Sequence, residues 1–279
     1  MDAMGNIVVG VDGSDGAAEA LRWAIGEAAL HGWTVTALAN VSPPDDKDLD
    51  GAAAELHTHV VAAIGAEAAA NVQERVRGGS AAFALVDTAH DADLLVVGAR
   101  GLGGFKRLLL GSVSTQCLHY STVPVAVTRS GHTAPGSRGR VVVGVDGSKT
   151  AERALRWAID EAAVREAELE VVHGWQIQNI GMYPYPMGLD MTDYQAAADA
   201  LVDEVLAAVE PDAARVKLTR TVRGGGAIPA LLDASEQADL VIVGSRGMGG
   251  FKGMLLGSVA QAVAQHASCP VIVVPHERD

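Results

Sequence analysis

A chain of 279 residues, 49% of them apolar, has room for one large domain or two of ordinary size around a substantial core. Its formal net charge of −13 excludes non-specific attachment to nucleic acid or to an anionic membrane, since both need basic surface. The two cysteines, Cys117 and Cys269, lie at unmatched positions with no CxxC or Cys/His spacing, which points to free buried thiols and away from a disulfide framework or zinc site.

The N-terminus, "MDAMGNIVVGVDGS", has no basic n-region and only a short apolar run, so it does not read as a signal peptide. No uninterrupted apolar segment is long enough to span a bilayer, and a cytoplasmic protein is expected. Ile7 to Val11 is a β-branched run closed by Asp-Gly-Ser and predicts a buried strand. Ala17 to Leu30 places Leu21, Ala24, Ile25 and Ala28 at helical spacing. Thr34 to Val41 predicts strand two, Ala52 to Ala70 helix two, Val72 to Val76 strand three and Ala81 to His90 helix three. Leu94 to Val97 is another apolar strand, followed by a glycine-rich turn. Val113 to Tyr120 predicts a helix, and Val123 to Val127 a last strand.

The pattern then starts again. "IVVGVDGS" (Ile7 to Ser14) returns as "VVVGVDGS" (Val141 to Ser148), and "LRWAI" recurs at Leu155 to Ile159. "VRGG" returns at Val222 to Gly225, and "VPVAV" at "CPVIV", Cys269 to Val273. The order is kept, so these are two homologous domains rather than a short-period solenoid. We expect domain one over 1–131, a linker over 132–139 and domain two over 140–279. Strands alternating with helices, apolar on both faces, predict an α/β fold: two tandem doubly wound domains, each with a five-stranded parallel sheet.

In such sheets ligands bind beyond the carboxyl ends of the strands, where the winding reverses. Two turns in each copy have suitable chemistry: "GVDGS" after strand one, and the turn after strand four. The latter is "VVGARGLGGFKRLLLGSVS" (Val96 to Ser114) in copy one and "IVGSRGMGGFKGMLLGSVA" (Ile242 to Ala260) in copy two. Both keep the spacing G-x₂-G-x₉-G-S: Gly98, Gly101, Gly111-Ser112, and Gly244, Gly247, Gly257-Ser258. Glycine backbone can approach phosphate oxygens closely, and the helix opened by Ser112 offers free amides and a positive dipole end. Arg100 and Arg246 lie inside the turns, with Lys106 and Lys252 after the glycine pairs. The other reading is a tight loop and close helix packing only. No Walker-type G-x-x-x-x-G-K-[ST] and no G-x-G-x-x-G after strand one is present, which excludes a P-loop and a dinucleotide fingerprint.

"VGVDGS", the long glycine stretch and the closing "CPVIVV" together resemble the universal stress protein family, over nearly the whole chain and twice. The spacing G-x₂-G-x₉-G-[ST] is that of the family's ATP-binding branch. The resemblance implies an adenine nucleotide alpha hydrolase-like sheet ordered 3-2-1-4-5 and one ATP per repeat, with Mg²⁺ able to ride in on the phosphates. It implies that Asp12 and Asp146 contact the nucleoside end, with Gly10 and Gly144 leaving room beside them. Ribose and phosphates would be held by Gly98, Arg100, Gly101, Gly103, Gly104, Gly111, Ser112 and Val113. In copy two they would be held by Gly244, Arg246, Gly247, Gly249, Gly250, Gly257, Ser258 and Val259. Val41 and Trp175, at the end of strand two, would edge the adenine. Asp12 also suits a turn before Gly13, and the two roles are compatible.

Family members commonly dimerise through the last strand. Here the two halves could form that pair within one chain, and whole chains could pair further. The implied role is stress-response signalling through a protein partner that the sequence does not name. The alternatives are a slow ATPase or phosphotransferase, for which no base beside the γ-phosphate is evident, and a nucleotide-free assembly module. The copies differ most after strand two, at Ser42 to Gly51 and Gln176 to Tyr194, which predicts unequal affinities. The histidines form no predicted site: His57 and His59 fall on different helix faces, His173 reads as a packed strand residue and His266 as a helix end.

Overall fold

The computed structural model describes residues 5–41, 49–102, 109–129, 138–176, 191–248 and 255–276. The first repeat runs β1 (Asn6–Gly10), α1 (Asp15–His31), β2 (Thr34–Val41), α2 (Leu49–Ile64), α3 (Ala66–Ala69), β3 (Val72–Gly78), α4 (Ala81–Thr88), β4 (Leu94–Gly98), α5 (Ser112–Tyr120) and β5 (Val125–Thr128). The second runs β6 (Arg140–Gly144), α6 (Lys149–Val164), β7 (Glu168–Trp175), α7 (Met191–Ala207), α8 (Glu210–Ala213), β8 (Leu218–Gly224), α9 (Ala227–Ser235), β9 (Leu240–Gly244), α10 (Ser258–His266) and β10 (Val271–Val274).

Sequence chemistry explains the local structure. Ile7, Val8 and Val9 are all buried, as a strand covered on both faces requires. Ser14 caps α1 by accepting from the Ala17 amide at 3.1 Å, and Ser148 does the same for α6 through Ala151. Strand two was predicted at its observed bounds. Helix two was not: the predicted single helix over Ala52 to Ala70 is broken between α2 and α3 at Gly65, whose φ of 83° is closed to most side chains. The last strand begins at Val125 rather than Val123, because the Val123 amide is taken by the Ser121 hydroxyl in a turn.

The ten strands among the described residues form one sheet, ordered β3-β2-β1-β4-β5-β10-β9-β6-β7-β8. Each half therefore reads 3-2-1-4-5, parallel throughout, as expected. The halves meet at β5 and β10, which pair antiparallel with Val127 opposite Val271 and Val125 opposite Val273. This is the expected pairing of last strands, made within one chain. One apolar core lies under α1, α2, α6 and α7, another under α4, α5, α9 and α10; each contains residues of both repeats. Full burial of a side chain such as Leu95 or Ile272 contributes about 1.5–3 kcal/mol. Cys117 and Cys269 are free and buried, and burial pushes both thiols up to about 12.

A charged cluster lies where α1 and α6 meet across the seam. Arg165 Nη2 donates to both oxygens of Glu27, at 2.5 and 2.6 Å, and its other terminal nitrogen pairs with Glu161. His31 Nε2 lies 3.1 Å from Glu161 Oε1, with its ring stacked on Trp33 at 4.2 Å. Glu27, Glu161 and Arg165 side chains are each at most 2% exposed. Burial pushes the Glu27 carboxyl up and the His31 imidazole down. Glu27, His31 and Glu161 have the proximity of metal ligands, but the Arg165 guanidinium pairs with both carboxylates and already supplies the positive charge.

Candidate functional site

The crossovers bring the turn after β1 beside the turn after β4, and Asp12 ties them together. Its Oδ1 accepts from the Ser14 amide at 3.0 Å and from the Ser14 hydroxyl at 2.6 Å; its Oδ2 accepts from the Leu102 amide at 3.0 Å. The second copy repeats this: Asp146 Oδ1 accepts from the Ser148 amide at 3.0 Å and Oδ2 from the Met248 amide at 2.8 Å. The turn role considered for Asp12 is thus present, and it reaches across to the glycine loop. Gly101 makes this possible, since a Cβ there would stand 2.2 Å from Asp12 Oδ2; Gly247 stands in the same relation to Asp146. Gly101→Ala must displace the carboxylate and is expected to cost about 1–3 kcal/mol, read as a lowered urea midpoint with an unchanged m-value.

The starts of α5 and α10 are built differently from the starts of α1 and α6. Their N-caps are Gly111 and Gly257, and neither has a side-chain cap. The first-turn amides have no carbonyl one turn behind them and point outward with the positive end of the helix dipole. The loop is closed beneath them by the Gly111 amide on the Ala99 carbonyl, and by the Gly257 amide on the Ser245 carbonyl, both at 2.7 Å. Fold geometry does not demand glycine at position 111. Its φ is −74°, and a Cβ would meet nothing nearer than 3.5 Å. What glycine leaves there is room above the helix start.

That room is part of a cavity of about 510 Å³ at the carboxyl ends of β1, β2 and β4, within the usual size for a small-molecule site. Of the predicted residues, Gly10, Asp12, Gly98, Arg100, Gly101, Gly111, Ser112 and Val113 line it. Gly103, Gly104, Gly249, Gly250, Lys106 and Lys252 lie outside the described residues, as do most of the two variable segments. Sequence reasoning missed the apolar floor, Leu38, Leu85 and Val97, and two polar wall residues, Asn40 and Ser114. Val41 and Trp175 are one residue out of phase with this wall. Successive strand side chains face opposite ways, and Leu38 and Asn40 point to the α4 side, so Val41 faces the α2 side. Trp175, its counterpart, donates from Nε1 to Gln195 at 3.0 Å and stacks on Tyr194, both on α7. The period-two pattern of β2 carried this information.

The second copy keeps the Asp146 clamp and the open start of α10, but three differences surround them. Gly174 stands where β2 has Asn40, and the Gly226 carbonyl lies 2.4 Å from where its Cβ would be. Thr150 replaces Gly16, with Cγ2 2.9 Å from the would-be Cβ of Gly244. Ser114 donates to the Gly98 carbonyl at 2.8 Å, a tie that Ala260 cannot make.

The described lining of the cavity carries few charges. Among the described lining residues Arg100 is the one cation and Asp12 the one carboxylate, and Asp12 already accepts three hydrogen bonds. No described histidine lines it. His57 Nδ1 pairs with Glu74 at 3.0 Å, His59 packs against Gly13, and His173 bonds the Val145 carbonyl.

A parallel sheet wound 3-2-1-4-5, with a glycine loop and an uncapped helix start at its switch point, defines the doubly wound nucleotide-type α/β class. The sequence matches the universal stress protein family over residues 4–129 and again over 137–275. The chain therefore belongs to the universal stress protein family, with its domain twice in tandem. A universal stress protein of Mycolicibacterium smegmatis is 37% identical over 285 residues, covering 96% of each chain. One from Mycobacterium tuberculosis is 35% identical over 285 residues, covering 96% of this chain and 95% of the relative. The crystal structure of a universal stress protein from Archaeoglobus fulgidus superposes with a TM-score of 0.69 over 98% of both chains at 24% identity, a likeness of fold. No described helix is long and apolar enough to cross a membrane.

Proposed function

We propose that each repeat binds one adenine nucleotide, ATP by the spacing of its glycine motif, and that the protein acts as an ATP-binding regulator in a stress response. One observation carries this reading: the helix starts at Gly111 and Gly257 lack a capping side chain, and at Gly111 a cavity opens where a Cβ would fit. Backbone amides pooled at a helix start favour an anion, and the apolar floor of Leu38, Leu85 and Val97 suits a planar base. Among the described lining residues Arg100 supplies a fixed positive charge. Mg²⁺, if present, would be held by the phosphates, because Asp12 is engaged in the clamp.

Protein purified without added nucleotide, denatured and chromatographed, is expected to release ATP. Release of ADP together with measured turnover would move the reading to hydrolysis. No released nucleotide and no heat on titration with ATP would end it.

A further inference from the structure

The nucleotide-type cavity has two chemically different ends. At one end is the uncapped start of α5, tied to the end of β4 by the Gly111 amide on the Ala99 carbonyl. At the other end β2 supplies Leu38 to the floor and Asn40 to the wall. β1 lies between β2 and β4 in the sheet, so the two ends stand two strand spacings apart, roughly 10 Å. That is the scale of a nucleoside. It sets phosphate at the α5 end, where the free amides are, and the base at the β2 end.

Most polar side chains of the described lining are committed elsewhere. Asp12 accepts three hydrogen bonds, and Ser114 donates to the Gly98 carbonyl. Arg100 and Ser112 lie with the loop and the helix start at the phosphate end. Asn40 stands at the base end. Its Nδ2 donates at 3.0 Å to the carbonyl of Arg77, its register partner on β3. A carbonyl only accepts, so this bond fixes which way round the amide lies. Turning it over would set Oδ1 against the Arg77 carbonyl, acceptor against acceptor. The locked amide therefore offers Oδ1, an acceptor, to whatever occupies the β2 end of the cavity.

The 6-position is where purines differ in sign. Adenine carries an amino group there, a donor, whereas guanine carries an oxygen, an acceptor. A fixed acceptor pairs with the first and meets the second oxygen to oxygen. A site built to pair one group rejects the analogue that lacks it. The fold does not require the amide. Asparagine is depleted in strands, so propensity does not place it at the end of β2. In the second repeat the same place is Gly174, where a Cβ would stand 2.4 Å from the Gly226 carbonyl, and the strand pairs as well without a side chain.

We propose that Asn40 is the specificity-determining residue of the first repeat: its Oδ1 accepts from the 6-amino group of the base and so selects adenine over 6-oxopurine nucleotides. This role rests on the nucleotide reading of the same cavity. The unaltered full-length protein and its Gly257→Trp variant, which keeps the first site, are titrated calorimetrically with ATP and with ITP, whose base carries oxygen at the 6-position. ATP is expected to bind the first site at least about tenfold more tightly than ITP, the 1.4 kcal/mol of one hydrogen bond. Asn40→Ala in the Gly257→Trp chain is expected to weaken ATP about tenfold and to leave ITP within about twofold, which brings the ratio near one. A residue that only shapes the wall would weaken both nucleotides alike. Equal affinity for ATP and ITP before the Asn40 substitution, or a ratio that Asn40→Ala leaves unchanged, would overturn the role of Asn40 and leave the nucleotide reading standing. Binding of neither nucleotide to the unaltered protein would end the nucleotide reading, and this role with it.

Discussion

Arg165→Met is expected to lower the unfolding free energy by about 3–5 kcal/mol, the cost of stranding buried charge by removing one partner. Arg165 pairs with Glu27 and Glu161, and neither carboxylate reaches water. Without the guanidinium two carboxylates face each other in a low-dielectric seam. Burial already pushes Glu27 up while Arg165 opposes the shift, so one carboxyl is expected to take a proton. Equilibrium urea unfolding followed by circular dichroism measures the loss. The triple variant Glu27→Gln, Glu161→Gln, Arg165→Met should recover most of it, since neutral groups replace the whole cluster. A single-variant loss under about 1 kcal/mol, the size found at exposed ion pairs, would mean that water reaches the cluster.

Gly111→Trp and Gly257→Trp are each expected to abolish ATP binding in one repeat, by at least about a hundredfold, or about 2.7 kcal/mol. At position 111 a Cβ meets no atom nearer than 3.5 Å, so the indole fits the backbone and fills the cavity rather than breaking the loop. Titration calorimetry should show the stoichiometry fall from two to one in either variant. The remaining sites should differ in affinity. With Gly257→Trp the surviving site has the Asn40 side chain on its wall; with Gly111→Trp it has Gly174 there, closed in by the Gly226 carbonyl. Equal residual affinities would refute the asymmetry, and unchanged stoichiometry would place the nucleotide elsewhere.

Much of this architecture is legible in the sequence, for identifiable reasons. β-branched runs ended by Asp-Gly-Ser have few alternatives to a buried strand followed by a capped helix. The glycine spacing marked the loop because backbone approach leaves its trace in residue type. The clamp was half visible: Asp12 reads as a turn residue, but its reach to the Leu102 amide depends on a crossover that places β4 beside β1. The cavity floor left no motif, since Leu85 on α4 resembles any core leucine. The pair Glu27 and Glu161 was available in the repeated "LRWAI" helix, where both copies keep a glutamate on the apolar face. The break at Gly65 does leave a local mark, a glycine inside an alanine-rich run, and the expected single helix passed over it.

The antiparallel seam at β5 and β10 relates the repeats by an approximate twofold axis. In an assembly of identical chains, every residue near such an axis must appear twice. A symmetric pair of first repeats would set two histidines against two glutamates at the seam; a symmetric pair of second repeats would set two arginines there. Tandem fusion lifts that rule, so one mate can be Arg165 and the other His31. The same freedom lets one half end its last strand on Thr128 while Val274 fills the matching place in the other. Joining the halves end to end thus does more than hold them together: each position near the axis can be altered once, and the two halves can take up different tasks within one sheet.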